Sequence, residues 1–338
     1  TRDNLFLEFT AHSGERFYEF DCPGSDTPDC VSALSGGIDS MAGAVMLLRA
    51  DRHPLLITHQ SGNPHVRRAR DNVVETLDKF RPGQSAAVCA TIQPRRNGDD
   101  AWSFPPSTQR ENSRRSRAFL FISLALLAAA GAGVSEVYVC DNGVLTVALP
   151  LTDGRVGSLS TRSTHPVVIA GINSLLEGAG VSIRVANPFV YQTKAELIGD
   201  ILRPVLTPAE IQQTVSCWMT GRRSRQCGGC IPCLLRRISM LAAGLPDEAF
   251  EMDILAEPQQ YRGTDAYGNL VDLLTQARAF ATMSAGDMLL KWPELLDTAG
   301  AGESVPNIID MLQRYGHEVT QVVEKHFPRA AALMHSSR

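Results

Sequence analysis

Two groups of residues in this 338-residue sequence have the types and spacing to do chemistry: Ser35-Gly36-Gly37-Ile38-Asp39-Ser40 and the cysteines Cys217, Cys227, Cys230 and Cys233. The first group follows the short apolar segment Cys30 to Leu34 and leads into the apolar run Met41 to Leu48. A strand is therefore expected to hand over to a helix through two glycines. Such a junction gathers backbone N–H groups at a helix N-terminus, where the macrodipole favours an anion and glycines let the main chain approach it closely. A phosphate chain is the natural ligand. Ser35 and Ser40 add hydroxyl donors, while Asp39 makes sense beside phosphate when a divalent cation sits between the two. A bare glycine pair also reads as an ordinary turn. The string lacks the GxxxxGK pattern and the third glycine of a dinucleotide fingerprint, which disfavours ordinary kinases and NAD enzymes.

In the second group nine residues separate the first pair of cysteines and two separate each later pair. Four soft ligands at this spacing suit a closed tetrahedral zinc site of the structural kind. An iron–sulfur cluster is the chemical alternative, because four cysteines hold those too. Gly228 and Gly229 relax the turn between ligands, and Arg222, Arg223, Arg225, Arg236 and Arg237 are placed to offset the charge of four thiolates. Cys30, Cys89 and Cys140 fall in or beside apolar strands and are expected to be small buried hydrophobes.

The elements that must position these groups alternate along the chain. Apolar strand-like segments are expected at Val31 to Leu34, Leu55 to Thr58, Ala86 to Thr91, Val137 to Cys140 and Ser182 to Ala186. Helices are expected between them at Met41 to Arg49, Val66 to Phe80, Arg117 to Ala130 and Val167 to Glu177. The alternation predicts an α/β fold, a doubly wound parallel sheet with ligands at the C-terminal strand ends. Before it, Leu5 to Phe9 and Arg16 to Phe20 flank a turn and suggest a hairpin. The arginine-bearing, proline-punctuated stretch Ile92 to Arg117 reads either as a lid over triphosphate or as a solvated loop. Beyond Gly244 helices are expected at Asn269 to Met283, Ala285 to Leu296 and Ile308 to Phe327.

Composition sets limits. The sequence is 44% hydrophobic and 20% charged with a net charge of −4, which fits a globular protein and gives no general reason to expect nucleic-acid binding. The longest apolar run, Ala118 to Ala130, falls short of the roughly 20 residues a membrane span needs and is expected to be a buried helix. No secretory leader pattern opens the sequence, so a cytoplasmic setting with reduced cysteines is expected.

SGGIDS resembles the PP-loop of the ATP pyrophosphatase superfamily, which includes GMP, NAD and asparagine synthetases and tRNA-thiolating enzymes. That resemblance implies an adenine nucleotide alpha hydrolase-like fold, cleavage of ATP between its α and β phosphates, and activation of a substrate oxygen as its adenylate. Together with TKAE at Thr193 to Glu196, and SCW followed by CGGCIPCLLR at residues 227–236, the sequence resembles the 7-cyano-7-deazaguanine synthase (QueC) family over roughly residues 30–240. In that family ATP adenylates a 7-deazaguanine carboxylate, ammonia displaces AMP, and a second activation can dehydrate the amide to a nitrile.

The resemblance implies ATP, Mg²⁺ and Zn²⁺ as cofactors. Ala33, Leu34, Ser35, Gly36, Gly37, Asp39 and Ser40 would hold pyrophosphate and metal, and Lys194 would neutralise phosphate. Arg117 and Gln60 would reach the nucleotide, and the four cysteines would bind zinc. It partitions the chain into a hairpin (1–29), a PP-loop domain (30–205), a zinc-binding helical segment (206–244) and a helical C-terminal extension (245–338) that packs on the core, forms a homodimer or receives a partner. The family's SGYPDC-type segment is replaced by Asp141 to Pro166. This departure and the extension resemble QueC-like proteins of bacterial anti-phage systems (Qat and CBASS-type operons), in which the deazaguanine is attached to a protein partner. Asn142, Arg162 and His165 then become candidates for substrate recognition. A tRNA-thiolating enzyme, or a non-catalytic nucleotide-binding module that docks defence proteins, are the competing expectations; neither a membrane nor a nucleic acid is expected as a partner.

Overall fold

Short, largely apolar segments of three to six residues form the five strands of one parallel sheet, separated by helices that cover both of its faces. The computed structural model describes residues 27–91, 117–151, 164–219, 225–246 and 250–335. In chain order the elements are β1 (Cys30–Ala33), α1 (Ile38–Arg49), β2 (Pro54–His59), α2 (Pro64–Phe80), β3 (Ala86–Ala90), α3 (Arg117–Ala132), β4 (Glu136–Tyr138), α4 (Gly143–Val147), α5 (Pro166–Gly178), β5 (Arg184–Ala186) and α6 (Lys194–Glu196). A π-helical stretch, Leu197–Leu202, continues α6, followed by α7 (Pro208–Gln212) and α8 (Ile231–Ala242). The C-terminal helices are α9 (Asp265–Thr282), α10 (Ala285–Lys291), α11 (Asp297–Gly300), α12 (Val305–His326) and α13 (Pro328–His335), with 3₁₀ turns at Pro258–Tyr261 and Pro293–Leu296. The expected N-terminal hairpin and most of the 92–117 segment lie outside the described residues.

The strand order is β3-β2-β1-β4-β5, all parallel. Side chains alternate between faces with period two. Leu55 and Ile57 of β2 pack with Ile122, Ala125 and Ala129 of α3 and Ile172 of α5. Leu56 packs on the other face with Met41, Val45 and Leu48 of α1 and Leu77 of α2. Chain direction across the sheet therefore reverses between β1 and β4, the topological switch point where open α/β sheets leave a crevice.

Two expectations are corrected. Ala118 to Ala130 is not buried all round: α3 turns Ile122, Ala125, Ala128 and Ala129 to the sheet and leaves Phe119 and Leu127 60% and 63% exposed, because a helix in the outer layer covers its sheet with one stripe only. Cys30 and Cys140 are buried as expected, but Cys89 is exposed at the C-terminal end of the edge strand β3, within hydrogen-bond reach of Arg70 and Gln60.

The C-terminal helices build their own apolar core and close it against the α/β body. Leu273, Ala277 and Phe280 of α9 and Met311, Tyr315 and Val319 of α12 pack with Leu234 and Ile238 of α8 and Val147 of α4. Gly316 makes this contact close, since a Cβ there would sit 2.6 Å from Ala277 O and from Ala281 N. Among the described residues no helix is long and apolar enough to cross a membrane.

Candidate functional site

β1 ends at Ala33, Leu34 turns its side chain into the core, and the loop Ser35 to Gly37 caps α1. Gly36 has φ +85°, and a Cβ there would meet the Arg70 backbone at 2.8 Å, so only glycine lets this loop lie against α2. Ser35 and Ser40 bond each other through their hydroxyls at 3.1 Å, and Ser40 Oγ donates to Gly37 O at 3.1 Å, which holds the loop in a tight coil. Among the described residues no side chain caps the α1 N-terminus. Its first-turn N–H groups thus have the geometry that receives an anion.

Three residues expected at the site converge beside this loop. Asp39, in the first turn of α1, is 6% exposed. Lys194 Nζ donates to its Oδ1, while Asn142 Nδ2 donates to its Oδ2 at 2.9 Å. Asn142 leaves β4 as the N-cap of α4, its Oδ1 accepting from Leu145 N. Gly143 follows because a Cβ there would lie 2.3 Å from Val190 O. Lys194 is the first residue of α6, a turn fixed by a capping box between Thr193 and Glu196.

The C-terminal helices hold that turn from behind. Arg314 of α12 pairs with Glu196 at 2.6 Å and donates to Tyr191 O at 2.8 Å, and Thr193 Oγ1 donates to Glu318 Oε1 at 2.7 Å. Burial pushes the Glu318 carboxyl up to about 7, with Glu196 adding to the rise while Thr193 and Arg314 oppose it. The folded state thus keeps a proton that the unfolded chain releases between its ordinary carboxylate range and pH 7, so stability falls as pH rises through that window. Glu318→Gln, which can still accept from Thr193, is expected to remove this loss and add up to about 2 kcal/mol at pH 8 with little change at pH 4. Urea unfolding at the two pH values checks it, and an equal change at both would refute it.

The remaining expected residues are distributed as follows. Gln60, after β2, accepts from Arg70 Nη1 at 2.9 Å and belongs to the Arg70–Cys89 cluster rather than the Asp39 cluster. His165 is buried as the N-cap of α5, its Nδ1 accepting from Val167 N at 3.3 Å. Arg117 opens α3 at its N-terminus. Arg162 lies outside the described residues. One group was missed. Asp141, immediately before Asn142, accepts from Thr164 Oγ1 at 2.8 Å, and burial together with the nearby Asp39 charge pushes its carboxyl up to about 6. Only its position beside Asn142 could have drawn attention to it.

The four cysteines form a second centre, with Sγ atoms all within 4.8 Å of one another. The contacts between Cys227 and Cys233 and between Cys230 and Cys217 are each 3.9 Å. A tetrahedron with Zn–S bonds of about 2.3 Å has edges of roughly 3.8 Å, so the set could bind zinc. Backbone N–H groups of Met219 and Cys227 point at Cys217 Sγ, and that of Cys230 points at Cys227 Sγ, which favours thiolates. Two arginines expected to offset the thiolates are engaged elsewhere. Arg236, fully buried, donates to Thr214 O at 2.9 Å, and Arg237 pairs with Asp253 at 2.5 Å. Arg236 has a different use: with Val215 N donating to Gly36 O at 3.0 Å, it ties the segment entering the cysteine centre to the phosphate-type loop.

Comparison with known proteins bears on both centres. Residues 107–244, which contain Asn142, Lys194 and all four cysteines, match the family described as "Queuosine biosynthesis protein QueC". The chain is 30% identical to the 7-cyano-7-deazaguanine synthase of Thiobacillus denitrificans over 132 residues, 39% of this chain and 55% of that protein, so it spans about half of that relative's length. It is 27% identical to the enzyme of that name from Myxococcus xanthus over 229 residues (64% of this chain, 94% of that protein). For the one from Novosphingobium aromaticivorans the figure is 28% over 244 residues (67% and 95%). The chain therefore carries a QueC family domain and is distantly homologous to 7-cyano-7-deazaguanine synthases.

Proposed function

We propose that this chain uses ATP to adenylate the carboxylate of a 7-deazaguanine-type substrate, releasing pyrophosphate, and passes the activated carbonyl to a nitrogen nucleophile. The observation that carries this reading is the meeting of Asp39, Asn142 and Lys194 beside an uncapped helix N-terminus at the sheet's switch point. A carboxylate oxygen is a poor leaving group and AMP a good one, so the work of the site is to stabilise charge on phosphate while the acyl–phosphate bond forms. The α1 amides and the Ser35 and Ser40 hydroxyls would take phosphate oxygens. Lys194 would exchange its bond to Asp39 for one to phosphate. Asp39, still oriented by Asn142, would hold Mg²⁺, which when bound neutralises phosphate charge. In this reading Asn142 positions Asp39 rather than recognising the base.

The product is proposed to be an amide, a nitrile or a conjugate with a protein amine in anti-phage defence. Two observations support the conjugate: the replacement of the SGYPDC-type segment by residues 141–166, and the packing of α12 behind the Lys194 turn. ATP–pyrophosphate exchange with 7-carboxy-7-deazaguanine tests the first step, and exchange that does not depend on the acid would refute it. Cys89, exposed beside Arg70, favours sulfur transfer as a second reading. Cys89→Ser is expected to leave exchange within about twofold of wild type; loss of turnover in a folded variant would favour sulfur transfer instead.

A further inference from the structure

A cavity of about 1020 Å³ opens between the α/β body and the C-terminal helices. Its walls are mostly apolar, supplied by Leu145 of α4, Leu235 of α8, Phe280 of α9 and Leu312 of α12, with the exposed Trp218 among the lining residues. Asp141 lines the same cavity. The next residue in the chain, Asn142, is the one bonded to Asp39, and Asp141 itself feels the charges of Asp39 and Lys194, so one residue belongs both to the cavity wall and to the surroundings of the Asp39–Lys194 pair. One carboxylate oxygen of Asp141 is anchored by Thr164, and its main-chain oxygen accepts from Thr146 Oγ1 at 3.0 Å and Asn187 Nδ2 at 2.8 Å. Its Oδ1 has no hydrogen-bond partner among the described residues. A group held at its backbone and at one oxygen, with the other oxygen free, is built to exchange a proton at a fixed point.

Resting on the adenylation reading, we propose that Asp141 is the general base of the second half-reaction, taking the proton from the nitrogen that enters through this cavity and attacks the acyl adenylate. The nitrogen lone pair forms the C–N bond, the bond from the carbonyl carbon to the phosphate oxygen breaks, and AMP leaves with that electron pair. The N–H proton passes to Asp141 and then to solvent. No oxidant or reductant is needed. The cavity is larger than ammonia requires and is lined to enclose a sizeable, mostly apolar ligand, so the nucleophile is either ammonia or a primary amine carried on such a molecule.

Burial raises the Asp141 carboxyl most, Asp39 on α1 adds to the rise, and Thr164 and Lys194 lower it. Across the cavity stand Asp265 on α9 and Tyr315 on α12. The test measures two half-reactions on the full chain with 7-carboxy-7-deazaguanine: ATP–pyrophosphate exchange, and single-turnover amide formation with ammonium or methylamine as the probe. Asp141→Asn, isosteric and still able to accept from Thr164, is expected to keep exchange while amide formation falls about 100-fold at pH 8. Taking the ratio of variant to wild type at each pH cancels titration of the amine. That ratio is expected to return towards one below about pH 6, where wild-type Asp141 is itself protonated. Thr164→Val is expected to move the wild-type acid limb upward by about one pH unit, since it removes the hydrogen bond that favours the carboxylate. Undiminished amide formation in Asp141→Asn, or a deficit independent of pH, would overturn the role of Asp141 and leave adenylation standing. Loss of exchange in Asp141→Asn would place the residue in the first half-reaction and also overturn it. Absence of exchange in the wild type would overturn both readings together. Activity with methylamine as well as ammonium would assign the cavity to a carried amine; activity with ammonium alone would assign the base to free ammonia.

Discussion

Asp39→Asn is expected to lower pyrophosphate release about 1000-fold and to destabilise the fold by about 3 kcal/mol. Both effects come from the same bonds. Asp39 accepts from Asn142 Nδ2 at 2.9 Å on one oxygen and from Lys194 on the other, and the Asp39 and Lys194 side chains are each 8% exposed. An asparagine cannot accept on both sides, so one partner meets an amide N–H and the Lys194 ammonium is left buried without its counter-charge. Breaking a buried pair on one side costs more than the pair contributes. The double variant Asp39→Asn/Lys194→Met separates the two effects, because it removes the stranded charge. It is expected to recover most of the lost stability, read as a higher melting temperature than the single variant, while remaining inactive. A folded Asp39→Asn enzyme that turns over at the wild-type rate would remove Asp39 from the phosphate and cation machinery.

Cys233→Ser is expected to abolish metal binding at the cysteine centre and to cause the largest loss of stability of any single change considered. Cys233 sits in α8 with no exposure, and its sulfur lies 3.9 Å from that of Cys227. Structural zinc sites of this composition have apparent binding energies of about 10–16 kcal/mol in small domains, and a metal here would join Cys217 to the three cysteines at the start of α8. Loss should also reach the proposed ATP site. The segment before Cys217 is bonded to Gly36 O through Val215 and to Arg236 through Thr214, so its release would loosen the loop proposed to receive phosphate. The measurements are metal content, melting temperature and exchange rate for wild type, Cys233→Ser and chelator-treated wild type. One zinc per chain without visible absorbance is expected, and a coloured protein would favour an iron–sulfur cluster. A metal-free variant that melts and turns over like wild type would refute the structural role.

Much of the scaffold was legible in the sequence because it is local. The five strands lie within about two residues of the expected segments, since aliphatic runs bounded by polar residues leave the backbone few other ways to satisfy its hydrogen bonds. The helices α4 and α6 were not read as helices. Each is three to five residues long, too short for a 3.6-residue period to show. The amphipathic α8 was expected only as part of a helical segment over residues 206–244, without bounds and without the apolar face that Leu234, Leu235 and Ile238 present to the C-terminal core.

The two chemical groups were thus set by the sequence itself: a strand–GG–helix junction with an acid in the first turn, and four cysteines whose spacing alone limits what they can bind. Only the tertiary structure decided how these become a site. Asp39 meets Lys194 across 155 positions of sequence and Asn142 across 103, contacts that depend on the order β3-β2-β1-β4-β5 and on the reversal between β1 and β4. No local pattern encodes that order. The same holds for Asp141, whose neighbours Thr164, Asp39 and Lys194 come from three separate parts of the chain, and for Cys89, exposed because β3 lies at the sheet's edge. Local preferences follow from residue type and period, whereas burial and charge pairing follow from which distant segments the packed core brings together.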